Sequence, residues 1–170
     1  MNVMQRKLGA WWGLAGVAVL LGSAIYRLTP TAVGAFSFPF HWYHAVTLAL
    51  VVFFMAYAEG YLAFQQGFSP RVAARARYLK NHGRLSHVIF APLFCMGFFH
   101  ATRRRQIMSI SVTAGIIVLV LLVRLLDQPW RGIVDAGVVV GLAWGLISLA
   151  VFGIQALTSA TFPYSPEVPE

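Results

Sequence analysis

Charge is scarce in this 170-residue chain, and acid is scarcest. Lys, Arg, Asp and Glu together make up 11% of it, and Asp and Glu number only five. An ordinary soluble domain carries about a quarter charged residues. A water-facing globular coat is therefore excluded, and so is a charged disordered chain. Cysteine is nearly absent. Cys95 stands alone, which rules out an internal disulfide and any small disulfide scaffold. The sequence motifs of soluble catalysis are missing as well. There is no G-x-S-x-G elbow, no P-loop, no H-E-x-x-H and no pair of acids inside an apolar run. No internal repeat is present, which argues against a transporter built from inverted halves.

What remains is apolar. Hydrophobic residues make up 59% of the chain, gathered in continuous runs rather than alternating patterns. Continuous runs of about 20 residues suit membrane-spanning helices, whereas open sheet edges are excluded from lipid. Five segments reach spanning length, at about 8–28, 42–64, 85–102, 107–126 and 133–157. The sequence therefore predicts an all-α integral membrane bundle of five transmembrane helices in one domain, residues 1–158. Arg6 and Lys7 before an apolar run, followed by Gly22-Ser23-Ala24, imitate a signal peptide. The length of that run favours a retained first helix. Cys95 falls mid-run, where a small buried thiol is expected.

Three other stretches have their own character. Residues 70–82 read as an interfacial amphipathic helix. Ser69 suits an N-cap and Pro70 the first helical position, while Val72, Ala76 and Leu79 form an apolar stripe. Arg71, Arg75, Arg77 and Lys80 flank that stripe and would meet lipid headgroups. The last stretch, 159–170, holds three prolines and two glutamates and reads as a flexible tail. Between the runs, Arg103, Arg104 and Arg105 fill a tight turn.

The net charge of +8 belongs to these loops, so it reads as topology and headgroup contact rather than nucleic-acid binding. Five spans put Arg6, Lys7, Arg71, Arg75, Arg77, Lys80, Arg84, Arg124 and Arg131 on one side, against Arg27 and Arg103 to Arg105 on the other. Nine against four predicts a cell inner-membrane protein with a cytoplasmic N-terminus and an external C-terminus. The arginine triplet then lies on the wrong side for the rule, a tension that five spans leave in place.

Three constellations are candidates for function. Glu59, His87, Arg124 and Asp135 fall at one depth if the five helices pack in sequence. They form either a proton or polar relay, or structural pairs such as Glu59–Arg124 and Asp135–Arg131. His44 and His100 would meet at the opposite side, where two imidazoles suit a b-type haem, with Arg103, Arg104 and Arg105 toward its propionates. The competing reading makes His41, His44 and His100 interfacial residues beside Trp42 and Tyr43. His87 and His100 are 13 residues apart and point roughly 140° from one another on a straight helix, so only a kink at Pro92 would bring them together. A metal site is not expected, because nearby arginines repel cations. Gly137, Gly141 and Gly145 form two overlapping G-x-x-x-G units on one helix face, for packing inside the chain or docking to a partner. Ser109, Ser111 and Thr113 are expected to bond back to their own helix.

Three blocks carry a resemblance. Phe68-Ser-Pro-Arg-Val-Ala-Ala-Arg-Ala76, Phe99-His-Ala-Thr-Arg-Arg-Arg105 and Pro129-Trp-Arg-Gly-Ile-Val-Asp-Ala-Gly137 resemble a family of small, uncharacterised polytopic membrane proteins of bacteria and plastids. The similarity spans roughly residues 42–157. It implies a membrane fold and transfers no activity, and it implies that the loop arginines, His100 and Asp135 belong to the family pattern. The function expected from the sequence is that of a non-catalytic accessory, assembly or scaffold protein without a cofactor. Its expected partners are the bilayer and other membrane chains or further copies of itself. The alternatives are the one-haem redox protein and a small proton or solute carrier using Glu59 and Asp135.

Overall fold

The structure, a computed structural model, describes residues 3–82 and 85–168. All regular structure among them is helical. Helix α1 is Val3–Gly34, closed by a tighter turn at Ala35–Ser37. Helix α2 is continuous over Trp42–His82. Short helices α3, Leu85–Ile89, and α4, Ala91–Met96, follow, then α5, Arg103–Val123, and α6, Trp130–Thr158. Four helices are long and apolar enough to cross a membrane: Met4–Ser37, Trp42–His82, Arg103–Val123 and Trp130–Thr158.

The expected third span is therefore corrected. Residues 85–102 do not form one helix. The chain leaves helical geometry at Phe90 (φ −99°, ψ 31°), and Pro92 lies in the first turn of α4. Proline lacks an N–H and fits best at such a first-turn position. Gly97 then adopts φ +85°, a left-handed conformation that ends the helix. Hydropathy alone could not distinguish this broken hairpin from a span, because both are apolar.

Contacts give the helix directions. Gly137 of α6 meets Val51 of α2, Gly141 meets Glu59 and Gly145 meets Phe64. Further along, Ser148 Oγ and Ser69 Oγ are 2.7 Å apart. Helices α2 and α6 therefore run parallel. Helix α1 opposes both: Thr31 and Ala35 meet Gly132, Leu14 meets Gly153, and Arg6 Nη1 donates to Asn81 O at 3.0 Å. The start of α1 and the ends of α2 and α6 thus share one end of the bundle, here called proximal. An odd number of crossings would separate them, so the expected opposite placement of the chain's two ends is corrected too.

The buried core lies at the proximal end. It joins Ala10, Leu14 and Val17 of α1 with Val72, Ala76 and Leu79 of α2, with Phe94 and Cys95 of α4 and with Leu149 and Leu157 of α6. The stretch Ser69–His82 is consequently no surface helix. It continues α2 and forms the centre of this core, because Ala73, Ala74 and Ala76 are small enough for three neighbours to approach. Three glycines of α1 serve the hairpin: a Cβ at Gly9, Gly13 or Gly16 would collide with Val88, Cys95 or Pro92 respectively. The tail folds back onto the bundle, with Val168 packed against the core. Helix α5 contrasts with all of this. Arg105 and Ser109 are buried in its first two turns, but nothing from Ile110 to Val123 is.

Candidate functional site

Arg75 organises the proximal end. Its side chain is 1% exposed and finds no carboxylate. Nε donates to Phe94 O at 2.6 Å, Nη1 to Pro166 O at 2.8 Å, and Nη2 to Phe99 O at 2.9 Å and His100 O at 3.0 Å. The guanidinium also lies 4.2 Å from the centre of the Phe94 ring, a cation–π contact. One planar fork thus ties α2 to the end of α4, the 97–102 turn and the tail. Left-handed His100 (φ 47°) and Gly97 turn those carbonyls toward it.

The neighbouring cations close a helix end. Arg77 Nη1 donates to Ala156 O and Ser159 O at 3.3 and 2.8 Å, Arg77 Nη2 donates to Ala160 O, and Lys80 Nζ donates to Leu157 O at 2.6 Å. These are orphan carbonyls of the last turn of α6 and of the two residues that follow it, where positive charge is favoured. The four cations expected at lipid headgroups all bond the chain's own carbonyls instead. Arg71 Nε donates to Gly67 O, one turn back on its own helix, at 2.6 Å, and its side chain also borders a cavity of about 340 Å³ with Thr102, Arg104, Arg105, Met108 and Glu167.

This cavity opens at the N-terminal end of α5. Arg105 is 8% exposed, and its Nε has no hydrogen-bond partner. Its nearest counter-charge is Glu167 Oε2 at 3.8 Å. Thr102 caps α5 without a side-chain hydrogen bond, and its own N–H donates to Glu167 O at 3.1 Å. Three arginines and a helix N-terminus thus line one cavity with a single carboxylate.

The other expected constellations come apart. His44 lies at the distal end, exchanging hydrogen bonds with His41 as a helix cap and lying edge-on to Trp130 at 4.8 Å. His100 lies at the proximal end, its carbonyl on Arg75, which is 31 residues further along α2 than His44, or roughly 45 Å. Arg103 and Arg104 lie there with it. His44 and His100 are therefore not brought together as expected: the span that would have done so is a hairpin. That hairpin places His87 and His100 side by side instead, ring centres 4.6 Å apart. No group of three metal-ligating side chains occurs among the described residues.

The relay disperses likewise. Glu59 lies mid-way along α2 beside Gly141, with Oε2 buried and lacking a hydrogen bond. Asp135 sits six residues earlier on α6, 4.0 Å from Arg131. Arg124 is exposed at the distal end, and His87 is proximal. Gly137, Gly141 and Gly145 are buried inside the chain, against α2. Of the hydroxyls on α5, Thr113 bonds back to Ser109 O at 2.8 Å, whereas Ser109 reaches Met96 O at 2.9 Å.

Sequence reasoning missed Arg75 as a hub and Glu167 as the cavity's acid. Pro92, Gly97 and the misplaced arginine triplet were the signals that pointed there. Comparison with known proteins adds no relative: no family model, curated protein or solved structure matches this chain.

Proposed function

We propose that this protein is a non-catalytic accessory component of a larger membrane assembly, docked through α5 to a helix of another membrane chain. The observation that supports this is the isolation of α5. The other three long helices pack on one another, while α5 leaves the bundle after two turns and presents Ile110, Ile116, Val118 and Leu121, all more than half exposed. A Cβ at Gly115 would meet nothing in this chain, so another backbone could approach there closely. The resemblance to small polytopic proteins of bacteria and plastids is part of this reading.

The orientation follows from four crossings. The proximal end carries Arg6, Lys7, Arg71, Arg75, Arg77, Lys80 and Arg103 to Arg105, against Arg27, Arg124 and Arg131 at the distal end. The positive-inside rule then puts the proximal end, and both ends of the chain, in the cytoplasm. The arginine triplet no longer violates the rule. Gly115→Phe tests the docking. The larger side chain fits the free chain, so thermal unfolding of the purified protein stays unchanged while its high-mass species on native gels is lost. A retained high-mass species would overturn the docking through α5.

A further inference from the structure

The cavity at the start of α5 has the chemistry of an anion site, and its present occupant belongs to the chain. We propose that Arg71, Arg104 and Arg105 bind a phosphate group there, and that Glu167 is a built-in competitor that holds the site until phosphate displaces it. Four features converge. The cavity holds about 340 Å³, ample for a phosphate and part of its ester. Arg105 is buried, yet its Nε lacks a hydrogen-bond acceptor, an expensive condition for a charged group. Thr102 leaves first-turn N–H donors of α5 uncapped, and such donors, with the helix dipole, favour anions. Glu167 sits 3.8 Å from Arg105 Nε, beyond hydrogen-bond reach. A tetrahedral phosphate offers more acceptor oxygens than one carboxylate and pairs with arginine in bidentate fashion.

The position narrows the source of that phosphate. The apolar run of α5 begins at Ile107, and Met108 lines the cavity beside the arginines. A phosphate in the site would lie at headgroup depth, where a lipid could lay its chains along exposed α5. A free phosphate would use the same donors. The site stands independently of the docking proposed for α5.

The test uses the full chain in neutral detergent, with calorimetric titration at constant ionic strength. The probes are inorganic phosphate, short-chain phosphatidic acid and, as a control, short-chain phosphatidylcholine. We expect phosphate binding that Arg104→Gln weakens about tenfold, the scale of a lost charge-assisted hydrogen bond, and that Glu167→Gln strengthens several-fold. Phosphatidic acid at least tenfold tighter than inorganic phosphate identifies a lipid site; equal affinities identify free phosphate. Arg104 and Glu167 are at the surface, so both variants keep the core intact. Absence of binding by both phosphate probes overturns the proposal. So does equal binding of phosphatidylcholine, or a Glu167→Gln variant that binds no better than the parent.

Discussion

At the residue scale, the fold depends on how buried cations are satisfied without acids. With few carboxylates available, Arg75, Arg77 and Lys80 turn to backbone carbonyls. That choice has a physical basis, because the 97–102 turn and the last turn of α6 expose acceptors that no secondary structure satisfies. Arg75→Met keeps much of the apolar stem but strands several carbonyls. It should cost about 3 kcal/mol or more, since each buried unsatisfied group costs on the order of 1–3 kcal/mol. Arg75→Lys should recover less than half of that, because one ammonium cannot reproduce the planar fork. Thermal unfolding in detergent would check both, and a Lys variant as stable as the parent would refute the hub. The positive charge of this region was legible in the sequence. Its targets were not, since the accepting carbonyls come from residues 19 to 91 positions away.

At the element scale, glycine does different work on different helices. On α6 it lets α2 lie against the backbone: a Cβ at Gly145 would come within 2.6 Å of the Phe64 ring. On α1, Gly22 faces open space. Alanine therefore has opposite effects at the two sites. Gly22→Ala should raise stability by up to about 1 kcal/mol through helix propensity, whereas Gly145→Ala should lower it by about 1–3 kcal/mol through overpacking. Equal effects in chemical unfolding would exclude close α2–α6 packing. The shared face of Gly137, Gly141 and Gly145 could be read from spacing of four. The partner helix could not, because a small-residue face specifies close approach and not what approaches.

At the scale of the whole molecule, the number of crossings separates two topologies. With four crossings Asn81 and Asp127 lie at opposite ends of the bundle. In a five-crossing chain both would lie on one side. Single cysteines at the two positions, Asn81→Cys and Asp127→Cys, should react with an impermeant maleimide from opposite faces of oriented vesicles. Labelling from the same face would restore the fifth span. The native Cys95 should stay silent in this assay, because burial pushes its thiol up to about 12 and leaves it 1% exposed.

Composition by itself determined that the chain is helical and membrane-seeking, because a run of apolar residues can satisfy its backbone in lipid only as a helix. It also located the ends of most long helices, where cations and aromatics gather. Tertiary structure alone decided that the run at 85–102 folds back. A proline and a glycine permit a break without requiring one, and here α1, α2 and the tail supply the contacts that hold it. Much at the proximal end follows from that break: the shared location of the start of α1 and the end of α6, the separation of His44 from His100, and the lining of one cavity by Arg71, Arg104, Arg105 and Glu167.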